Sequence, residues 1–462
     1  MENGSAPLKT RAFFAPRALL PDGWAEHVRI GVNDAGKIVS VEAGASPGDA
    51  ALLAGPLVPG MPNLHSHAFQ RAMAGLTERR ENPADSFWTW RDLMYRFANR
   101  ISPGQLRAVA AQLFIDMLKA GYTGVAEFHY VHHAPGGAPY DDPAEMALQL
   151  AQAASDAGIG LTLLPVLYVY GGFGGRPLSA AQARFASDPA TIAAIIEGLG
   201  SCPGIRVGVA PHSLRAVSLP MLSELLVVAP ANGPVHIHIA EQVREVEECV
   251  ANTGRRPVEF LFDNFEVDAR WCLVHATHMN EAETQVLAKS GAVAGLCPIT
   301  EANLGDGFFP LRGFLDQGGR FGIGSDSNIS PGPWEELRLL EYGQRLLHRE
   351  RAVAIPAGQT GSTGLALYRS ALAGGAQALG QGEAGIAPGA DADFCVLDPA
   401  RLPLGDCGPE SLLDQAVFAS AASPVRDVWV RGIQIIAEGH HAGEAETRRR
   451  FDAALRELGD LS

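Results

Sequence analysis

Two histidines spaced two residues apart offer the clearest chemistry in this chain. His65 and His67 end the segment MPNLHSH at residues 61–67, which follows a short apolar approach and is typical of the end of a β-strand. Side chains two apart on a strand point to the same side. Both imidazoles can therefore bind one metal ion, and imidazole is a good ligand for zinc. The alternative is a pair of polar residues at a strand end without a metal.

The segment VHIHIAE at residues 235–241 offers a third imidazole and a carboxylate. His236 and His238 share one side of the predicted strand, and His238 is nearer its carboxyl end. We therefore predict His238 as a ligand and expect His236 to support the site or to pack below it. Glu241 follows where the strand opens into a loop, and it can lie beside a water on the metal without binding the metal. The alternative for Glu241 is a solvated acid at a helix start.

Two later strand ends complete the predicted site. Asp326 follows the run FGIGS, and a buried carboxylate is costly unless it is paired or metal-bound, so we predict it as the fourth ligand. His275 ends the run LVH and can steer a water or hold developing charge, whereas His278 is expected to be structural. Three histidines and an aspartate would hold one Zn²⁺, or alternatively Fe²⁺, with a position left for water. A second metal bridged by a modified lysine has no candidate in the fourth apolar run, residues 205–210.

Eight apolar runs alternate with helical stretches and must position these side chains. The runs cover residues 57–64, 123–128, 160–169, 205–210, 235–239, 272–274, 292–296 and 321–324, and helical stretches include 105–120, 142–157 and 219–228. This alternation predicts an α/β protein with a TIM-like (β/α)8 barrel, although a doubly wound open sheet shows the same alternation. The barrel is favoured because each reactive residue lies just past the carboxyl end of a run, where barrel enzymes build their sites.

Both ends of the chain have β character. Turn signals at residues 34–36 and 431–432 separate short apolar runs that are typical of hairpins. We therefore predict a small β-sandwich domain built from residues 1–57 and 385–462, the latter with a terminal helix, around a hydrolase barrel at 58–384.

Composition limits the partners. The 462-residue chain is 47% hydrophobic and 19% charged, with a net charge of −15 that argues against nucleic acid and anionic membranes. An anionic substrate would therefore need local cations. Six cysteines without paired spacing, and no apolar segment of the length or type of a signal or membrane span, predict a reduced cytoplasmic protein.

The predicted site as a whole resembles the single-metal deaminase branch of the amidohydrolase superfamily. The residues that carry this resemblance are His65, His67, His238, Glu241, His275 and Asp326. The segment APGADAD at 387–393 is similar to the point where such chains re-enter a terminal β domain. Segments 61–71 and 297–307 resemble the formimidoylglutamate deiminase family of histidine degradation. The resemblance implies a homodimer and hydrolysis of N-formimidoyl-L-glutamate to N-formyl-L-glutamate and ammonia.

That substrate carries two carboxylates, which need cations aimed at them. Arg215, beyond the fourth run, and Arg91, in the long loop after the first run, are predicted to bind carboxylate, because guanidinium binds it at two points. The resemblance implies further substrate contacts from Gln70, Tyr130 and His212. In the implied reaction Asp326 takes a proton from water, His275 orients the attacking oxygen and Glu241 protonates the leaving nitrogen. A deaminase or chlorohydrolase of a ring substrate, or a non-catalytic barrel scaffold, remains as an alternative.

Overall fold

The computed structural model describes residues 11–78, 87–405 and 407–459, with only the backbone for 87–89. The strands in this part of the chain are β1 Arg11–Leu20, β2 Gly23–Val32, β3 Ile38–Glu42, β4 Ala51–Leu52, β5 Leu57–Pro59, β6 Met61–Ser66, β7 Tyr122–His129, β8 Gly160–Leu167, β9 Arg206–Val207, β10 Ala210–Pro211, β11 Val235–Ile239, β12 Trp271–His275, β13 Val293–Leu296, β14 Arg320–Ile323, β15 Phe394–Leu397, β16 Val425–Val430, β17 Ile433–Ala437 and β18 His440–His441.

Helices connect most of these strands. They are α1 Phe87–Ala98, α2 Pro103–Ala120, α3 Glu145–Ala157, α4 Pro189–Leu199, α5 Leu219–Val228, α6 Val243–Thr253, α7 Pro257–Asn264, α8 Glu281–Ser290, α9 Pro298–Leu304, α10 Leu311–Asp316, α11 Pro333–His348, α12 Thr363–Ala378, α13 Pro409–Phe418 and α14 Glu444–Leu458. Short 3-10 helices cover Ala68–Met73, Phe173–Gly175, Ala180–Phe185 and Pro399–Arg401.

Strands β6 to β14 form the wall of a barrel. They run parallel in two sheets, β6 to β10 and β11 to β14, and β9 and β10 share the fourth position. A parallel bridge between Ser66 and Asp326 joins the first strand to the last, and Val209–Val235 and Ser213–His238 bridges join the two sheets on the other side. The predicted (β/α)8 class is therefore confirmed, and the bridges bring the ends of β6, β10 and β11 and the residues after β14 to one rim.

The barrel strands are apolar because they are buried on both faces. All five residues of β11, VHIHI, are buried, as are all six of β6, so their histidines lie in a closed interior rather than on a surface. Placing imidazole there is costly unless each ring nitrogen has a partner. This cost is the first structural sign of a functional cluster.

The two ends of the chain form one nine-stranded sheet beside the barrel. Its order is β18-β17-β16-β15-β5-β1-β2-β3, with β4 next to β1. Both predicted hairpins are present, since β2 pairs antiparallel with β3 and β16 with β17. The sheet has a core of its own that includes Phe13, Ile30, Phe394 and Trp429. The exact domain boundaries stay a prediction.

Two connections differ from their predicted form. The run 57–64 is split at Gly60 into β5, in the terminal sheet, and β6, in the barrel. A residue without a Cβ is needed at this crossing, since a Cβ at Gly60 would lie 2.2 Å from the Thr123 side chain. Arg91 lies in helix α1 rather than in a loop. Within the described residues, no helix is long and apolar enough to cross a membrane.

Candidate active site

Four side chains converge at the carboxyl rim of the barrel. The Nε2 atom of His65 lies 3.2 Å from Nε2 of His67 and 3.0 Å from Nε2 of His238. The Oδ1 atom of Asp326 is 3.5 Å from the first of these nitrogens and 3.3 Å from the second. All four residues are buried, and their ligand atoms lie within 4.8 Å of one another. These are the four residues that the sequence predicts as metal ligands.

This arrangement fits a divalent cation. Zinc bonds of 2.0–2.1 Å in tetrahedral geometry would separate neighbouring ligand atoms by ~3.3 Å, close to the distances between these atoms. Nδ1 of His67 donates to the carbonyl of Phe128 at 3.0 Å, and Nδ1 of His238 donates to the carbonyl of His212 at 3.2 Å. Each bond fixes the tautomer that leaves a lone pair on Nε2 for a metal.

The charge states agree with metal binding. Burial lowers the pKa of His65 to about 3 and also lowers the pKa of His67 and of His238. Burial alone would raise the pKa of Asp326, but its contacts with His65 and His67 hold that pKa below its usual range. Neutral imidazoles and an ionised carboxylate are the forms that bind metal.

The backbone around Asp326 is strained and braced. Asp326 has φ of 44°, and His275, at the end of β12 on the same rim, has φ of 68°. Such left-handed conformations cost about 1–3 kcal/mol for a residue with a side chain. The Asp326 amide donates to the carbonyl of His65 at 2.9 Å, and the Asn328 side chain donates to the carbonyls of Asp326 and His67. This network holds the ligands of the first and last strands together.

His275 lies beside the four ligands and is surrounded by carboxylates. Its Nε2 atom is 3.8 Å from Oε1 of Glu241 and 3.8 Å from Oδ2 of Asp326, and its Nδ1 atom is 3.3 Å from Oε1 of Glu301. Burial would lower the pKa of His275, but these three carboxylates outweigh it and raise the pKa to about 10. The raised pKa favours the protonated form of this ring, which faces both Glu241 and Oδ2 of Asp326.

Glu301 was not among the predicted site residues. It lies in the first turn of α9, where its Oε1 atom accepts the Cys297 amide at 2.8 Å as well as facing His275. It therefore caps its own helix and orients the imidazole. The sequence signal was present only as an acid three residues after Pro298, which a helix start by itself explains.

Glu241 enters the cleft from the turn after β11. Burial raises its pKa to about 7, with His275 and Arg215 opposing the shift and Asp326 adding to it. A carboxyl group with such a pKa can both hold and release a proton near neutral pH. Asp306, a second residue that the sequence analysis missed, is buried nearby and accepts a hydrogen bond from the side chain of Gln242.

A cleft open to solvent leads to these groups. Its lining includes the predicted substrate-binding residues Gln70, Arg91, Tyr130, His212 and Arg215 together with His67, His238, Glu241, His275 and Asp326. Apolar and aromatic side chains complete the wall, among them Trp90, Met94, Tyr95, Phe185 and Leu304.

The polar groups of the cleft are held by further contacts. The Gln70 amide donates to the hydroxyl of Tyr130 at 3.1 Å, and Arg91 stacks over the Tyr95 ring with its guanidinium carbon 5.5 Å from the ring centre. Nδ1 of His212 lies 3.1 Å from the Ser213 hydroxyl. A guanidinium nitrogen of Arg215 lies 3.6 Å from Oε2 of the buried Glu245 carboxylate. The structure thus brings every predicted site residue to one rim.

Other histidines lie away from the four predicted ligands. His236 packs below the rim, where its Nε2 atom lies 2.8 Å from the Ala378 carbonyl. His132 and His133 hydrogen-bond to the carbonyls of Val166 and Ala186. The contact of His236 agrees with the position below the site that the sequence predicts for it.

Comparison with known proteins identifies similar sequences and structures. The model of the amidohydrolase family matches residues 57–435, and the model of the N-terminal domain of formimidoylglutamate deiminase HutF matches residues 10–51. A formimidoylglutamate deiminase of Pseudomonas aeruginosa is 52% identical over 452 residues, which cover 97% of this chain and 100% of that protein. A 5-methylthioadenosine/S-adenosylhomocysteine deaminase of Natronomonas pharaonis is 27% identical, over 83% of this chain and 81% of that one.

Two solved structures show the same architecture. An amidohydrolase from Brucella melitensis superposes with a TM-score of 0.93 at 52% identity, over 97% of this chain and 99% of that chain. A zinc-bound adenosine deaminase from Xanthomonas campestris superposes with a TM-score of 0.80 at 21% identity, over 97% and 98% of the two chains. At that identity the second likeness concerns the fold alone.

Proposed function

This chain belongs to the amidohydrolase family, in the group of formimidoylglutamate deiminases, and we propose that its barrel cleft hydrolyses N-formimidoyl-L-glutamate to N-formyl-L-glutamate and ammonia. Hydrolysis of this carbon–nitrogen bond is a step of histidine degradation. The observation that carries the assignment to the cleft is the convergence of three neutral imidazoles and one carboxylate at the base of a pocket that also contains two arginines.

The ligand set is proposed to be His65, His67, His238 and Asp326, with zinc as the metal and iron as the alternative. A divalent ion held there would lower the pKa of a bound water from roughly 15.7 to about 7. Nitrogen-rich ligation suits zinc and also iron, so the donor set alone leaves the choice between them open.

Asp326 and His275 are proposed to act on the attacking water. Oδ1 of Asp326 faces the imidazoles of the ligand set, whereas Oδ2 faces His275 at 3.8 Å. This orientation supports Oδ2 as the acceptor of the proton from the water. The cationic His275, oriented by Glu301, then holds the negative charge that develops on the attacking oxygen.

Glu241 is proposed to carry the proton to the leaving group. Attack of the water oxygen on the formimidoyl carbon gives a tetrahedral centre that carries both nitrogens and the new oxygen. Glu241 protonates the terminal nitrogen as the water oxygen adds, and it then moves the proton that remains on this oxygen to the same nitrogen. Ammonia leaves as that carbon–nitrogen bond breaks and the carbon–oxygen double bond of the formyl group forms, and the proton that Asp326 took from the water restores Glu241 for the next turnover. The glutamate nitrogen stays attached throughout.

The two arginines are proposed to bind the two carboxylates of the substrate. Arg215 is held by Glu245 and Arg91 by the Tyr95 ring, so each guanidinium is positioned before substrate arrives. Gln70, Tyr130 and His212 are proposed to add neutral hydrogen bonds, since all three line the same cleft. Local positive charge is required because the whole chain carries a net charge of −15.

A substrate panel tests this proposal. Ammonia release by metal-replete protein should be fast with N-formimidoyl-L-glutamate and slow with guanine, cytosine and adenosine. A preference for a ring compound would favour the alternative deaminase or chlorohydrolase, and release from none of them would favour a scaffold. The homodimer and the cytoplasmic location stay proposals from sequence, and sedimentation of the purified chain and fractionation of its cells would test them.

A further inference from the structure

Glu245 is a buried carboxylate in the first turn of α6, and the proposed reaction gives it no part. Its side chain is fully buried, and the residue is 1% exposed. Oε1 accepts the Ala240 amide at 3.3 Å, and Oε2 accepts the Glu241 amide at 3.1 Å. Oε2 also lies 3.6 Å from a guanidinium nitrogen of Arg215. One carboxylate thus contacts both the turn that carries Glu241 and the cleft arginine.

The turn that Glu245 holds is strained. Ala240 has φ of 51°, a left-handed conformation that costs about 1–3 kcal/mol and persists only where neighbouring groups enforce it. The hydrogen bonds from the backbone amides of Ala240 and Glu241 to the Glu245 carboxylate stabilise this conformation, and they set the direction in which the chain presents Glu241. An acid in the first turn of a helix is common for reasons of capping alone, so these bonds by themselves would describe a cap.

The contact with Arg215 goes beyond a cap. Arg215 lies 30 positions away along the chain, between β10 and α5, and lines the cleft. A buried guanidinium without an anionic partner would be costly, and a long flexible side chain loses conformational freedom when it is fixed. Glu245 provides the anionic partner that the buried guanidinium needs, and it fixes the Arg215 side chain before substrate binds. The same atom, Oε2, therefore serves the arginine and the Glu241 amide.

We propose that Glu245 is a positioning residue that joins the carboxylate-binding Arg215 to the proton-carrying Glu241 through one shared carboxylate. The proposal rests on the proposed function, because it takes the roles of Arg215 and Glu241 from it. Loss of the shared carboxylate should release both groups at once. A displacement of either group by about 1 Å is enough to lower turnover roughly 100-fold in other enzymes.

A double-mutant cycle with N-formimidoyl-L-glutamate tests this link. Glu245→Gln keeps the size of the side chain but loses the charge and one acceptor oxygen. We expect kcat to fall roughly 10- to 100-fold and KM to rise, with metal content unchanged. Exposed Glu247 on the same helix supplies the matched control, and Glu247→Gln should leave both constants at the wild-type value.

Coupling is read from the double variant. The effects of Glu245→Gln and Arg215→Ala on KM should combine to less than their product, because both changes disturb one contact. Effects that multiply would overturn the proposal. Glu245→Asp, which keeps the charge but shortens the reach, is the second variant. Loss of the thermal unfolding transition in both Glu245 variants would also overturn it, in favour of a purely structural cap.

The outcome for the proposed function is separate. If wild-type protein releases no ammonia from N-formimidoyl-L-glutamate, the proposed function fails. If wild-type protein is active and Glu245→Gln behaves as Glu247→Gln does, only the positioning role fails.

Discussion

Replacing Glu241 by Gln removes the proposed proton carrier with little change in shape. Glu241 is 6% exposed, and its Oε1 atom lies 3.8 Å from Nε2 of His275, outside the set of four proposed metal ligands. The amide fills the same space but cannot accept and return a proton. General acid–base catalysis contributes about 10²- to 10⁴-fold, so kcat should fall by that factor, which corresponds to about 2.7–5.4 kcal/mol in the activation free energy.

The assay is steady-state ammonia release, with metal analysis of the same preparation. Metal content should match wild type and KM should change by no more than a few-fold, because Glu241 binds neither the metal nor a substrate carboxylate in this account. Glu248→Gln is the matched control, since Glu248 lies on α6 and pairs with Arg244 at the surface. A kcat near the wild-type value in Glu241→Gln, or loss of metal from it, would refute the reasoning.

Three further predictions follow from other contacts. Arg215→Ala should raise KM far more than it lowers kcat, because removal of one partner of the buried pair between Arg215 and a substrate carboxylate costs about 2–5 kcal/mol. Arg244→Ala at the surface is its control. An unchanged KM in Arg215→Ala would exclude Arg215 as a carboxylate ligand. A strong chelator should abolish ammonia release and added zinc should restore it, whereas His238→Ala should retain less than one equivalent of metal; full occupancy in that variant would remove His238 from the ligand set. Burial raises the pKa of Asp393, next to the terminal sheet, to about 6, above the ~3.9 of an unfolded chain. Between these pH values the native state therefore binds more protons than the unfolded state. The stability that this group contributes falls as pH rises from about 4 to 6. In Asp393→Asn the free energy of unfolding, measured by thermal unfolding, should therefore fall less steeply with pH across that window, by up to about 1.4 kcal/mol per pH unit. The same pH dependence as wild type would contradict the shift.

The convergence of the side chains at the strand ends could be predicted from sequence because strand geometry is local. Alternation places His65, in β6, on the same side as His67, which directly follows this strand, and the end of β11 brings His238 to the same rim once the barrel is closed. Helix α5, Leu219–Val228, has the predicted bounds because Ser218 caps it and Pro220 follows in its first turn.

The supporting carboxylates could not be predicted, because their roles depend on tertiary approach. Glu245 and Glu301 each lie in the first turn of a helix, where an acid is expected whether or not it reaches a catalytic group. Only folding shows that one faces Arg215 and the other His275. Asp306 likewise meets Gln242 across 64 positions of sequence.

The break at Gly60 has the same origin. The apolar run continues through it, so sequence alone describes one strand where the structure has β5 and β6 in different sheets. The close approach of Gly60 to the Thr123 side chain, which occupies the space that a Cβ at position 60 would need, is a tertiary contact that the apolar run itself does not reveal.

The central claim is that one cation is held at the rim of the barrel by three imidazoles and one carboxylate. The direct measurement is a crystal structure of the metal-loaded protein with anomalous scattering data collected at the metal edge. The account predicts a single anomalous peak about 2.0–2.2 Å from Nε2 of His65, His67 and His238 and from Oδ1 of Asp326. A peak elsewhere, or a loaded protein in which His238 or Asp326 lies outside bonding distance of the metal, would contradict it.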